Sequence, residues 1–241
     1  MELLQKSELK KPVKKFLNQK KQALSKSDKS AKKSMDEKAR EVVEAINNSA
    51  FMFTTSSCSG RAILMKETGK KQKQAIIKAW HERLSKNELL EELKKIELKK
   101  LKNLGTNTIS IYFKFEPPIY HVICFDCDIA ATLVNAARQV GFKKSGFYYG
   151  KRGFPIAELR GSEEISLPIF HEKILVDEKY LSLLTKEVNK KFLQVWKKQR
   201  RLVAAIKKLS KKLGNCLENK NIDDAKKINE KQQEVNKARK F

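Results

Sequence analysis

The sequence predicts an α+β protein: a mixed sheet with packed helices, extended at its C-terminal end by basic helices. Three observations carry this. Short apolar runs with period-two alternation, such as 109–115 and 119–125, are separated by stretches of helical period. The elements run helix, strands, helix, strands, helix, strands, helices, which groups strands instead of interleaving each with one helix. No G-x-G-x-x-G opens a helix after a strand, so the glycine signature of the Rossmann fold is missing from the sequence.

Taken in order, residues 1–33 are lysine-rich and end in a Ser/Lys stretch. Pro12 interrupts the helical pattern, and Glu8 to Lys21 has too little apolar surface for a core element. The segment reads as a basic arm, solvated or in contact with RNA backbone. Ser34-Met35-Asp36-Glu37 fits a capping box, and Val42, Val43, Ile46 and Ala50 follow at helical spacing. Phe51 to Thr55 and Arg61 to Met65 read as strands, with Ser56-Ser57-Cys58-Ser59-Gly60 as a loop between them. Ala75 to Trp80 is a further strand. Asn87 to Leu104 is a charged helix whose apolar side holds Leu89, Leu90, Leu93, Ile96, Leu98 and Leu101. Thr108 to Phe115 alternates as a strand, Glu116-Pro117-Pro118 breaks it, and Ile119 to Phe125 forms the next.

Asp126 or Asp128 caps the following helix, which carries Ile129, Leu133, Val134, Ala137 and Val140 and stops at Gly141. Strands around Gly146–Tyr149 and Pro155–Arg160 are joined by a basic glycine turn, Gly150-Lys151-Arg152-Gly153. From Asp177 onward the pattern is helical, with an apolar stripe from Tyr180 and Leu181 to Val195 and Trp196. Gly214-Asn215 reads as a break, and Ile222 to Lys240 as a polar helix. The expected organisation is an arm over 1–33, an α+β domain over 34–200 and a basic extension over 201–241.

Charge points to the partner. The 241 residues carry 53 Lys and Arg against 28 Asp and Glu, a formal net charge of +25. Such a charge opposes compaction unless a polyanion shares the surface. Nucleic acid is the default partner and an anionic membrane surface the second. Residues 190–241 alone hold 17 Lys/Arg and 5 Asp/Glu, so about half of the excess sits in that fifth of the chain. Apolar runs are too short to span a bilayer, so no membrane segment is expected. Cys58, Cys124, Cys127 and Cys216 do not suggest a disulfide framework, which predicts a cytoplasmic setting. Cys124 and Cys127 form a lone CxxC without two further ligands at zinc spacing, and no metal is expected.

The most unusual segment is Thr54-Thr55-Ser56-Ser57-Cys58-Ser59-Gly60-Arg61. Small residues expose backbone N–H groups that can hold an anion, and Arg61 offers a planar fork for a carboxylate or phosphate. A turn whose hydroxyls satisfy its own backbone is the plainer reading, and both stay open. Cys58 as a nucleophile would need a lowered thiol pKa, with His81 and His121 as distant partners; a half-buried pocket thiol is the alternative. His121 lies on the face of Ile119 and Ile123, where a histidine is more often a core residue. Trp80-His81 ends a strand at an expected pocket rim. Lys151-Arg152 suits a phosphate contact or a solvated turn.

Together these pieces resemble the tRNA wybutosine-synthesising protein 3 family. The resemblance runs over about 22–200 through Ser34-Met35-Asp36-Glu37, Phe53-Thr54-Thr55-Ser56-Ser57-Cys58-Ser59-Gly60-Arg61 and Trp80-His81, the last pair as in the archaeal branch. Phe115-Glu116-Pro117, His121, Gly141-Phe142, Ser145-Gly146, Lys151-Arg152-Gly153, Glu158-Leu159-Arg160 and the segment Leu175-Val176 to Leu184 complete it. The resemblance implies an S-adenosylmethionine-dependent methyltransferase without the Rossmann-like fold usual for such enzymes. Its expected acceptor is a ring nitrogen of a 4-demethylwyosine-type base beside the anticodon of phenylalanine tRNA. On that basis Asp36 or His121 is the candidate general base. Thr55, Ser56, Ser57, Cys58, Ser59, Arg61, Trp80 and His81 are candidates for holding cofactor or base, and Lys151, Arg152 and Arg160 for tRNA. A non-catalytic tRNA-binding protein is the main alternative, and a thiol enzyme using Cys58 the second.

Overall fold

The computed structural model describes residues 2–25, 36–67, 75–102, 110–151 and 153–218. Their elements are α1 (Glu2–Ser25), α2 (Glu37–Asn47), β1 (Met52–Cys58), β2 (Arg61–Glu67), β3 (Ala75–Trp80), α3 (Lys86–Lys102), β4 (Ser110–Glu116) and β5 (Ile119–Cys124). There follow α4 (Cys127–Gln139), β6 (Gly146–Tyr149), β7 (Pro155–Arg160), β8 (Ile165–His171), β9 (Lys173–Ile174) and α5 (Glu178–Glu218). The α+β class holds, with the strands distributed over two sheets, β1-β5-β7-β6 and β3-β2-β4-β8-β9. The chain divides into two compact units: one takes Met1–Ser57, Ile119–Arg160 and Lys198–Phe241, the other Cys58–Pro118 and Gly161–Lys197.

In the first unit β5 is central, antiparallel to β7 with Tyr120 opposite Leu159 and His121 opposite Glu158. Alternation sends Tyr120, Val122 and Cys124 into a core shared with α2, α4 and Leu202, Ile206 and Leu209 of α5. Tyr120 is wholly buried, and its hydroxyl accepts a hydrogen bond from Gln199 Nε2 at 2.8 Å. Burial pushes the Cys124 thiol up to about 12, with help from the Asp126 charge.

Two helix ends differ from the sequence reading. The cap of α2 is Asp36, whose carboxylate accepts from the Lys38 backbone N–H at 3.2 Å; Ser34 lies outside the described residues. The reciprocal capping box occurs instead at α3. There Ser85 N–H donates to Glu88 Oε2 at 2.6 Å and Glu88 N–H donates to Ser85 Oγ at 3.2 Å. Asp126 caps α4 through Ile129 N–H at 2.8 Å, and Gly141 closes it at φ +108°, a backbone conformation that other residues rarely adopt.

The N-terminal segment departs most from expectation. Pro12 lies within α1 without ending it, and Phe16 is a core residue at 1% exposure. Its ring meets Phe53, Phe125 and Phe154 edge-on, at centroid distances of 5.3, 5.4 and 5.2 Å. The buried Lys20 ammonium donates to the Ser49 carbonyl at the turn before β1. One large aromatic in a lysine-rich helix therefore does what the average composition seemed to forbid.

In the second unit β2 reads Ala-Ile-Leu-Met because all four side chains are buried. Leu89 and Leu93 of α3 and Leu181, Val188, Phe192 and Val195 of α5 join Phe113 and Phe115 in its core. Asn189 clamps the start of α3, accepting from Leu84 N–H at 3.0 Å and donating to its carbonyl at 2.9 Å. Strands β8 and β9 have no counterpart in the sequence reading. Pro168 masks β8 as a strand, and it sits where Ile111 pairs with Phe170 but Tyr112 with Pro168, a bulge that spares a ladder N–H. Helix α5 continues through Gly214 to Glu218, so the expected break there does not occur. The expected helix at 222–240 lies outside the described residues.

Two outcomes follow from this packing. Phe16→Ala will lower unfolding free energy by about 3–5 kcal/mol, read as a shift of the urea midpoint, because it empties a ring-filled site. At pH 8 only roughly one Cys124 in ten thousand is a thiolate, given a pKa of about 12. Iodoacetamide treatment of native protein followed by peptide mass mapping will label the half-buried Cys58 and Cys127 and spare Cys124 until denaturant is added.

Candidate functional site

The Ser-rich segment is a strand, not the loop its composition suggests. β1 continues through Ser56-Ser57-Cys58, and the turn is reduced to Ser59-Gly60. Gly60 has φ +94°, and a Cβ there would stand 3.2 Å from the Glu116 carbonyl oxygen, so both backbone and space call for glycine.

As a strand, β1 lays its hydroxyls along β5. Phe125 N–H donates to the Phe51 carbonyl at 3.0 Å, and four residues on, Thr55 Oγ1 donates to the His121 carbonyl at 3.3 Å. Ser56 Oγ lies 2.9 Å from His121 Nδ1. On the other side of β5, Glu158 Oε2 lies 3.2 Å from His121 Nε2. An Nε2–H directed at the carboxylate leaves Nδ1 as acceptor for the serine hydroxyl. A hydroxyl, an imidazole and a carboxylate thus stand in a row across three strands. The row is partly open, with the His121 and Glu158 side chains 28% and 31% exposed.

The division of this sheet face is sharp. Its apolar end, Phe53, Ile123 and Ile156, is covered by Phe16. Its polar end, two residues along each strand, carries Thr55, His121 and Glu158. Gly146, opposite Glu158 in register, has open space where a Cβ would be. His121 is therefore not the satisfied core histidine that alternation with Ile119 and Ile123 suggests.

Asp36 caps α2 in the same unit. Arg160 ends β7, and its backbone N–H donates to Ser145 Oγ at 3.1 Å. Lys151 is exposed in the β6–β7 turn, and Arg152 lies outside the described residues.

The other candidates belong to the second unit. Arg61 Nε donates to Glu116 Oε2 at 2.7 Å, and the two residues are direct partners across β2 and β4. The terminal nitrogens of the guanidinium take no part in that bond. Trp80 pairs with Ala62 and packs against the helix-covered face of this sheet, so it is not on the side of Arg61. His81 follows it, just beyond the end of β3. Cys58 is half-buried and Ser59 wholly buried.

Glu158 and Glu116 are the site residues that sequence reading did not single out. Each is the one carboxylate on an alternating, mostly apolar strand, which was the available signal. Only strand register says which histidine or arginine it faces.

Against known proteins, the family model described as Methyltransferase TYW3 matches residues 13–208. A tRNA wybutosine-synthesizing protein 3 homolog of Mus musculus is 35% identical over 176 residues, 70% of this chain and 64% of that protein. The chain thus spans a little under two thirds of that relative's length. The tRNA(Phe) 7-((3-amino-3-carboxypropyl)-4-demethylwyosine(37)-N(4))-methyltransferase of Thermococcus sibiricus is 30% identical over 202 residues, 82% of this chain and 98% of that protein. A solved protein of Pyrococcus horikoshii superposes with a TM-score of 0.69 at 29% identity, covering 80% of this chain and 97% of its own. With a match running from the core helix α1 into the second half of α5, the chain belongs to the TYW3 methyltransferase family.

Proposed function

We propose that the protein is a cytoplasmic, S-adenosylmethionine-dependent tRNA methyltransferase. Its acceptor is a ring nitrogen of a 4-demethylwyosine-type base next to the anticodon of phenylalanine tRNA. Family membership, the names of the archaeal relatives and a net charge of +25 support this reading. The observation that carries its chemistry is the row Ser56–His121–Glu158.

When bound, S-adenosylmethionine would supply an electrophilic methyl group carried on a sulfonium. By charge, Arg61 would offer such a group a guanidinium for its carboxylate, and Glu116 an acceptor for its ammonium or ribose diol. The chain's own task is to place the ring nitrogen in line and to take the proton that it loses as the new N–C bond forms. His121 Nδ1 takes that proton through the Ser56 hydroxyl at 2.9 Å, and Glu158 stabilises the imidazolium across Nε2. Between the two candidate bases the geometry favours His121, because Asp36 is engaged as the cap of α2. Lys151, Arg152 and Arg160, with the lysines of α5, would meet backbone phosphates. Binding would then weaken steeply as salt rises.

The test is transfer of labelled methyl to phenylalanine tRNA bearing the unmethylated tricyclic base, with plain-guanosine tRNA as control. Label in the modified tRNA alone is the expected result, and none in either overturns the reading. His121→Ala will cost about 10²–10⁴-fold in turnover while tRNA binding persists. Asp36→Ala will keep most activity and lose about 1 kcal/mol of stability with its cap. Near-normal turnover by His121→Ala would remove the imidazole as base.

A further inference from the structure

The outermost strand of the first sheet carries three consecutive exposed aromatic residues. Phe147, Tyr148 and Tyr149 of β6 are 41%, 51% and 70% exposed, and among the described residues β6 has a strand neighbour on one side only. An edge strand of this kind invites association unless something covers or guards it. Cations flank it at both ends. Lys143 and Lys144 are exposed just before β6, and Lys151 just after it. The Lys15 ammonium lies against Gly153 in the same turn, 5.9 Å from the Phe154 ring centroid.

Register separates the three rings. Phe147 pairs with Ala157 and Tyr149 with Pro155, on the face that turns toward the helix-covered core. The Tyr149 hydroxyl bonds to Cys127 at the start of α4, which holds the phenol above its ordinary pKa. Tyr148 pairs with Ile156 and faces the other way, so Glu158 is its diagonal neighbour across the strands. Tyr148, the open ground above Gly146, Glu158 and His121 thus share one sheet face, and the Ser56 hydroxyl reaches His121 Nδ1 from β1.

We propose that β6 is a stacking platform for unpaired RNA bases, with Tyr148 supporting the base whose N–H edge meets the Ser56–His121–Glu158 row. This rests on the reading of the protein as an enzyme of transfer RNA and names the part of the sheet that holds the loop. Aromatic rings set on a sheet and bordered by lysines bind single strands because every base has a stackable face and every phosphate a charge. A fully paired duplex hides its base faces and cannot use Tyr148.

The experiment measures affinity of the full chain for a fluorescein-labelled anticodon stem–loop, with a fully paired duplex of equal length as control. Tyr148→Ala will weaken stem–loop binding about ten-fold or more, while Tyr148→Phe will bind as the unmodified protein does. The slope of affinity against salt will stay unchanged in Tyr148→Ala and flatten in the Lys143→Gln, Lys151→Gln pair. Duplex binding will be indifferent to Tyr148. Stem–loop affinity equal to wild type in Tyr148→Ala overturns the proposal, as does an equal loss for loop and duplex. Nitration of Tyr148 by tetranitromethane gives a readout on the unmutated chain: protection by the stem–loop supports the platform, and nitration unaffected by saturating stem–loop overturns it. Both readouts are independent of methyl transfer. Tyr148-dependent binding without transfer would sink the enzyme and keep the platform, and transfer without Tyr148-dependent binding would do the reverse.

Discussion

The register of β5 between β1 and β7 is the constraint on which the candidate chemistry depends. Side chains of a strand alternate between faces, so a slip of one residue would exchange every inward for every outward group. Here the exchange would drive His121 into the core and expose Tyr120, Val122 and Cys124. The buried bond from Gln199 to the Tyr120 hydroxyl makes that exchange costly, since both polar groups would lose their partner away from water. With Tyr120 held inward, His121 must face outward, opposite Glu158 and beside Ser56. Helix packing on one face thus fixes polar geometry on the other.

The same sheet face is divided along its strands. A step of two residues keeps the face and moves about 7 Å along it. Phe53, Ile123 and Ile156 lie at one end beneath Phe16, and Thr55, His121 and Glu158 at the other. The apolar end needs a lid, which a single ring provides by touching three others edge-on. The polar end has its hydrogen bonds made within the sheet and can face solvent or a ligand without a desolvation penalty of its own. A serine hydroxyl and a carboxylate on either side of an imidazole also set its tautomer, which a lone exposed histidine would leave to chance.

Much of this was legible in the chain. Strands β3 to β7 and helices α3 and α4 follow from alternation, helical period, Asp126 and Gly141, because those signals are local. What the sequence hid was non-local. Nothing within a few residues of Phe16 says that Phe53, Phe125 and Phe154 will surround it, and a lysine-rich average argues the other way. Ser56-Ser57-Cys58 has loop composition, yet pairing with β5 makes it strand, and that pairing turns loose hydroxyls into a row. Pro168 is a strand breaker by itself, but a bulge accommodates its missing donor. Alternation places His121 on the correct face but leaves core residue and candidate base both open, because it does not say how far along a face the cover extends.

Charge fits the same logic of uncovered surface. A chain with 53 cations against 28 anions cannot neutralise itself by internal pairing. Several of the ion pairs present, such as Lys86 with Glu178 and Lys95 with Glu92, are exposed and contribute little to stability. The excess positive charge is therefore a standing cost to the free protein that a polyanion removes on binding. Under the proposed reading, phosphates would gather on lysines almost anywhere over such a surface, so charge would favour nucleic acid as a class without choosing a site on it. Choice requires groups that charge alone does not supply: a flat ring, an open floor and a hydrogen-bonding edge at fixed spacing. Tyr148, Gly146 and the His121 row present these in adjacent strands, which is why the proposed platform is assigned to that face and not to the most basic helix.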